Sequence, residues 1–370
     1  MFLAKIALTC AAAAALTAVA PPPGAPAAAA AGAAPRPCAG APTCYVDVSV
    51  AEVWTDPARV RRVDAPATAN PVDMRAWLED MTLDEQRRIP GETQALHGTE
   101  VTVEKTVERD GLLWDYVWVH GQPTPKDRAG RGAYPGWIPD RQLTSDHRQP
   151  PGGTREARIS RPTAWGYSTA ADAASAAASG RSAEYSYNTS FPVQAGPVPG
   201  VVEARSGDGS RLFFRAADLA PVPADPTGED VVAAARTFLG LPYVWAGASG
   251  FGYDCSGLVS QVYSMLGLVV PRDAQPQFDA GGGRAPAGSA EGERITGTQD
   301  LRPGDVVAFR STTGGAVSHV GVFTGMRNGE PMMINAPGTG EGVREEPLDG
   351  TGRVYAGATR FLPSPSLGTP

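Results

Sequence analysis

The chain has 370 residues, with 32 Lys and Arg against 39 Asp and Glu, for a net charge of −7. That length accommodates two or three domains. An acidic chain without a basic run is a poor match for nucleic acid or an anionic membrane surface, and low charge with abundant Gly, Ala and Pro fits a loop-rich extracytoplasmic protein.

The N-terminus is more specific. Lys5 precedes a short apolar stretch over residues 6–19, and Ala18-Val19-Ala20 resembles a small-residue cleavage site. This reads as a secretory signal peptide, too short to span a bilayer. Residues 21–37 are Ala/Pro low complexity. Cys10 leaves with the signal. Cys38 and Cys44 can close a small disulfide loop in an oxidising compartment. Cys255 is then the odd thiol, and an unpaired cysteine in a secreted chain is a reactive-thiol candidate.

Residues 45–54 alternate as a strand. Met74, Trp77, Leu78 and Met81 then fall at helical spacing, with Thr82-Leu83-Asp84-Glu85 opening a second helical piece. Residues 100–107 and 114–119 alternate around an Arg109-Asp110-Gly111 turn, so this region is expected to form a small β barrel with a helical insertion. Pro150–Gly153 reads as a linker. Short strands over residues 157–160, 164–168, 199–206 and 212–215 predict a second small β domain, with the Ala/Ser run 170–179 as helix or loop. Ile138-Pro-Asp-Arg-Gln-Leu143 and Phe214-Arg-Ala-Ala-Asp-Leu219 share a cadence that suggests two divergent copies of one module. After a Pro-rich linker at 221–228, residues 229–239 read as a helix. A second helix begins near Cys255, with Leu258, Val262, Met265 and Leu266 on one face. Residues 275–298 read as Gly/Ala-rich loop, and strands follow over 305–309, 319–324, 331–335 and 354–361. Helices followed by antiparallel strands give an α+β order.

Cys255 is expected at a helix N-terminus, where free amides and the dipole favour a thiolate and lower its pKa. A thiol nucleophile needs a base and a group that orients the base. Of the four histidines, His319 opens a strand in the same domain. His97, His120 and His147 read as surface or capping residues. Asn335, in Met-Ile-Asn-Ala-Pro, can accept from the imidazole N–H.

Four ordered motifs carry a family resemblance: Pro242-Tyr-Val-Trp-Ala-Gly with Asp254-Cys-Ser-Gly, Leu301-Arg-Pro-Gly-Asp-Val-Val-Ala-Phe, Ser318-His-Val-Gly-Val and Ile334-Asn-Ala-Pro. Residues 229–362 thereby resemble the NlpC-type cysteine peptidases. The resemblance implies a papain-like α+β catalytic domain that cuts bacterial cell-wall peptides between γ-D-glutamate and a diamino acid. It implies Cys255 as nucleophile, His319 as base, Asn335 as orienting residue where many members have a third His, and Tyr243 as an oxyanion donor. The N-terminal half resembles the bacterial SH3-like domains that precede this domain in a cell-wall recycling branch. There, an acidic residue in a Gly-x-Glu-type turn and a tyrosine in Tyr-Pro-Gly-Trp bind a free N-terminal L-Ala. Gly98-Thr99-Glu100 and Tyr134-Pro-Gly-Trp match those positions, and Asp254, Ser256 and Asp273 match residues lining the same pocket; Ala274 stands where members often have Ser.

The expected organisation is a leader over 1–37, SH3-like barrels over 38–150 and 151–224, and the peptidase domain over 225–363. The expected protein is a secreted or wall-associated monomeric thiol protease acting on murein peptides. It has no implied cofactor or metal, since one Cys and one His in the domain cannot make a zinc site. Peptidoglycan is a further candidate partner, and neither nucleic acid nor a stable membrane span is expected. Three alternatives stand beside it: a lytic hydrolase of intact wall, an acyltransferase or amidase on the same fold, and a wall-binding protein with an inactive catalytic domain.

Overall fold

Turn chemistry shapes the first third of the chain. Asp110 and Gly111 both adopt positive φ (51° and 76°), the conformation that a two-residue hairpin turn requires. They join β4 (Glu100–Arg109) to β5 (Leu112–His120). The computed structural model describes Cys38, residues 40–146 and residues 154–362. The leader, His147 and the 150–153 linker therefore lie outside the described residues.

The stretch over residues 45–54 is two strands rather than one. β1 (Thr43–Val46) and β2 (Val50–Trp54) are separated by Asp47-Val48-Ser49, and they pair with different neighbours. The helical insertion comes next, as α1 (Ala65–Thr68), α2 (Met74–Asp80) and α3 (Leu83–Gln86). Thr82 and Glu85 form the reciprocal capping box that opens α3. β3 (Gly91–Leu96), β6 (Ala133–Pro139) and β7 (Leu143–Thr144) complete an antiparallel sheet of order β3-β2-β6-β5-β4-β1-β7. Cys38 and Cys44 are disulfide-bonded and packed into its core with Val53, Val101, Val117 and Ile138.

The second sheet uses β8 (Arg155–Ile159), β9 (Thr163–Tyr167), β10 (Arg181–Ser186), β11 (Ser190–Ala195), β12 (Val201–Arg205), β13 (Arg211–Arg215) and β14 (Leu219–Ala220). Its order is β10-β9-β13-β12-β11-β8-β14. Strand for strand, this repeats the first sheet, and in both a one-turn 3-10 helix precedes the last short strand. The repeat suggested by the two matching cadences is thus present in the topology. The β2–β3 insertion of the first copy corresponds in the second to a single helix, α4 (Ala170–Ser175). Both sheets are open, since their outermost strands pair with one neighbour each.

The last part is mixed helix and sheet. α5 (Gly228–Arg236) opens with a Thr227/Asp230 capping box. A two-stranded hairpin, β15 (Ala248–Ser249) and β16 (Gly252–Tyr253), leads into α6 (Cys255–Met265). The segment read as loop over residues 275–298 contains a helix, α7 (Ala274–Ala280), and a strand, β17 (Glu293–Ile295). Local propensity conceals α7: Pro276 and the following glycines argue against a helix, while buried Gln277 donates to Ser256 O and Pro271 O and fixes it by tertiary contact. β18 (Val306–Arg310), β19 (Val317–Arg327), β20 (Glu330–Asn335), β21 (Arg344–Pro347) and β22 (Val354–Arg360) complete a sheet of order β17-β22-β18-β19-β20-β21.

Apolar faces cross between these parts. Tyr187, from the second sheet, meets Phe238 edge-on at 4.8 Å, and Phe238 meets Tyr253 at 4.9 Å. Trp54 and Trp77 share a cluster with Val244, before the β15–β16 hairpin, and Phe251, in its turn. The segment leading to Cys255 is thereby packed against both upstream parts.

Candidate active site

The site begins with a helix cap. Asp254 is extended (φ −84°, ψ 174°), and its Oδ1 accepts from Gly257 N at 2.6 Å. Such a cap is worth about 1 kcal/mol, and it sets Cys255 as the first residue of α6. Cys255 is the free cysteine among the described residues, and it is buried. The amides of Val320 and Ser256 donate toward its sulfur. Val320 neighbours His319 on β19, so the thiol lies against the strand that carries the imidazole.

His319 Nε2 lies 2.8 Å from Asn335 Oδ1. The amide cannot be turned the other way, because Asn335 Nδ2 donates to Glu346 Oε1 at 2.8 Å. Glu346 is in turn held by Arg344 Nε at 2.9 Å. A carboxylate accepts only, so Asn335 presents its oxygen to the ring and the Nε2 proton is fixed. The lone pair of neutral His319 is then on Nδ1. The relay Arg344–Glu346–Asn335–His319 crosses β21, β20 and β19. Glu346 was not legible in the sequence, because β21 carries no alternation and Arg344-Glu-Glu reads as a solvated edge.

Electrostatics change one expectation. Burial pushes the Cys255 thiol up, to about 11, and the Asp254 carboxylate adds to this; the two donating amides pull the other way without prevailing. Position at a helix start therefore does not make a thiolate here, because desolvation outweighs the dipole. Burial, reinforced by Arg353, lowers His319 to about 4. At neutral pH the pair rests as thiol and neutral imidazole. Burial likewise raises the Tyr243 phenol above its ordinary value, with the Cys255 charge next in weight, so Tyr243 keeps its proton beside the sulfur.

Arg272 connects this centre to the first sheet. It is 1% exposed. Its guanidinium donates to both Asp254 oxygens (2.7 and 3.1 Å), Ser256 Oγ (3.1 Å), Ala246 O (2.9 Å) and Thr93 Oγ1 (2.7 Å) on β3. Burial acts against its charge, and the Asp254 carboxylate more than offsets that. Nearby, Gln94 Nε2 donates to buried Glu52, and Gln94 Oε1 accepts from Ala248 N. Burial holds the Glu52 carboxyl well above its ordinary range.

Beside Arg272, Asp273 faces the first sheet. Tyr134 O–H donates to Asp273 Oδ1 at 3.3 Å, and Thr124 Oγ1 donates to Oδ2 at 3.4 Å. Tyr134 is also 3.5 Å from Glu92 Oε2. Asp254, Ser256, Tyr134 and Asp273 are thus joined through Arg272 and its neighbours. Glu100 is not among them. It starts β4, at the opposite end of β3 from Glu92, and its exposed carboxylate accepts from Tyr45 O–H at 3.4 Å. The acid in this recess is Glu92, in Gly91-Glu92-Thr93. Both stretches set a glutamate at a strand start after glycine, and only the strand pairing distinguishes them.

His97 is likewise internal rather than a surface or capping residue. Its ring stacks on Phe191 at 5.8 Å, its Nε2 meets Ser206 Oγ at 2.9 Å, and burial lowers its pKa to about 4. His120 Nε2 lies 2.8 Å from Thr102 Oγ1.

Comparison with known proteins is consistent along most of the chain. Residues 240–358 match the NlpC/P60 family model. The gamma-D-glutamyl-L-lysine dipeptidyl-peptidase of Bacillus cereus is 37% identical over 337 residues, covering 86% of this chain and 91% of that protein. The Bacillus subtilis protein of the same name is 34% identical over 301 residues, covering 80% and 90%. The crystal structure of an NlpC/P60 family protein from Bacillus cereus superposes with a TM-score of 0.71 at 34% identity, covering 87% of this chain and 100% of that one.

Proposed function

The chain belongs to the NlpC/P60 family of cysteine peptidases, and from that premise we propose that it releases an N-terminal dipeptide from murein peptides by cutting the bond between γ-D-glutamate and a diamino acid. Cys255 is the nucleophile, His319 the base and Asn335 the orienting residue. The thiol proton moves to His319 Nδ1 as sulfur attacks the γ-carbonyl. Oxygen gains the negative charge near the Cys255 amide at the start of α6, with the protonated Tyr243 hydroxyl as a further donor. The imidazolium then protonates the leaving amine, a thioester remains on Cys255, and water drawn on by neutral His319 hydrolyses it. Since Asn335 carries no charge, it orients the ring without stabilising the imidazolium as a carboxylate would. That agrees with a resting pair that is neutral.

The observation that carries the substrate reading is the acidic recess of Glu92, Asp273 and Tyr134 joined to the Cys255 helix cap through Arg272. An enzyme that counts two residues from a free N-terminus needs a closed end to its cleft and an anion for the ammonium. Strand β3 and the loop before β6 supply both. On this reading the two upstream sheets are SH3-like barrels over 38–150 and 151–224, the peptidase domain runs over 225–363, and the first barrel is a specificity wall. The Cys38–Cys44 disulfide favours a secreted or wall-associated location, and a monomer holds every residue that the reaction uses.

The test compares L-Ala-γ-D-Glu-L-Lys, its N-acetyl analogue and intact sacculi. The free tripeptide should be cut, with kcat/KM about tenfold or more above the blocked peptide, since the charge partner Glu92 is partly exposed. Equal turnover of free and blocked peptides, or preference for sacculi, would favour the lytic hydrolase instead. Cys255→Ala should abolish turnover, and an active variant would remove the nucleophile assignment.

A further inference from the structure

The acidic recess already holds an ammonium group of the protein's own. Lys126 lies on the loop between β5 and β6. Its Nζ is 2.5 Å from Glu92 Oε2 and 3.1 Å from the Tyr134 hydroxyl, and it sits 4.7 Å from the centroid of the Tyr134 ring. A carboxylate, a neutral acceptor and an aromatic face are the three elements that bind a primary ammonium. An incoming peptide amine would need the same Glu92 oxygen.

The charges favour one occupant at Glu92. Arg272 is paired with Asp254 and also acts on Asp273, whereas the cation paired with Glu92 is Lys126. Burial raises the Asp273 carboxyl above its ordinary range, and Arg272 opposes that shift. The loop around Lys126 is held on both sides. Thr124 donates to Asp273, and Asp127, 2% exposed at its side chain, accepts from Ala133 N and pairs with Arg131. The Lys126 side chain is 48% exposed, so it can leave by rotation while the backbone stays in place.

We infer that Lys126 is an internal competitor: its ammonium occupies the position of the substrate's N-terminal amine, must swing out for a peptide to bind, and returns to displace the dipeptide product, which keeps that same amine. This rests on the free-amine reading proposed above. The consequence is a raised KM for free peptides and faster escape of product, both read through one side chain.

The experiment uses the full chain with Lys126→Met, Lys126→Gln and Lys126→Arg, on L-Ala-γ-D-Glu-L-Lys and its N-acetyl analogue, with L-Ala-D-Glu as product inhibitor. A half-exposed pair near 1.4 kcal/mol corresponds to about tenfold. For Met and Gln, the KM for the free peptide and the Ki of the dipeptide should therefore both fall by about tenfold. The acetylated peptide should not change, and Arg should behave as the parent. An unchanged or raised KM for the free peptide in the Met and Gln variants overturns the competitor role and makes Lys126 a strut or a substrate contact. Glu92→Gln separates the two readings. If it weakens free and acetylated peptides alike, the amine recess itself fails. If it selects against the free peptide while Lys126→Met does not tighten binding, only the competitor fails.

Discussion

Arg272 is the residue whose removal should disturb the molecule most. Its side chain is 1% exposed and that of its partner Asp254 is 13% exposed. Met in place of Arg272 keeps much of the aliphatic volume but leaves the Asp254 carboxylate without its cation and Thr93 and Ser256 each short of a donor. Breaking a buried ion pair from one side costs about 3–5 kcal/mol. Asp254 retains Gly257 N and some contact with water, so the lower end, about 3 kcal/mol, applies to Arg272→Met. Asp254→Asn keeps the cap, because Asn caps as well as Asp, yet strands the guanidinium at a similar cost. The double variant removes both charges, so its loss should be smaller than the sum of the two by at least about 1.5 kcal/mol. Urea titration followed by tryptophan fluorescence at pH 7 measures all three. Single losses below about 1 kcal/mol, or additivity in the double variant, would refute the claim that this pair is buried and mutually dependent.

Two further outcomes follow from the site. The resting pair is neutral, with Cys255 near 11 and His319 near 4. Iodoacetamide should therefore alkylate Cys255 at a rate rising about tenfold per pH unit from pH 6 to 9, since only the thiolate reacts and its fraction grows below the thiol pKa. A rate independent of pH between 5 and 8 would reveal a preformed thiolate–imidazolium pair. Glu346→Ala frees the Asn335 amide to turn. The imidazole tautomer is then no longer enforced, and kcat should fall by about tenfold or more with KM little changed. Glu346→Gln, which can still present a carbonyl to Asn335 Nδ2, should recover most of the rate. Equal kcat in both variants would mean that Asn335 is oriented by something else.

How much of this was legible in the sequence depends on distance along the chain. Asp254, Cys255 and the apolar face of α6 are a local pattern: a cap, then residues at helical spacing. His319 follows from the scarcity of histidines. The Thr82/Glu85 box is local too. Those features need no knowledge of what packs against them. By contrast, α7 is set by Gln277 reaching Ser256 and Pro271, and β21 by pairing with β20. Neither leaves a periodic trace in its own residues. The shift of the Cys255 thiol also escaped, because a helix N-terminus can be read locally while burial under β19 cannot.

The position of Glu92, rather than Glu100, beside Tyr134 shows the same limit. Each glutamate begins a strand after a glycine, and each belongs to the same sheet. What separates them is that β3 is an edge strand whose Thr93 receives a hydrogen bond from Arg272, 179 positions along the chain, whereas β4 lies within the sheet between β5 and β1. An edge strand has one side free of strand neighbours, and β3 meets Arg272 there through Thr93, while Tyr134 reaches Asp273 from the interior strand β6. The strand order thus bears on which glutamate meets Tyr134. It also explains why Lys126, from the loop between β5 and β6, reaches Glu92: Lys126 donates to the Tyr134 hydroxyl on β6, and Tyr134 in turn meets both Glu92 and Asp273. β3 and β6 hold Glu92 and Tyr134, the start of α7 holds Asp273, and the Lys126 side chain on the connecting loop is half exposed.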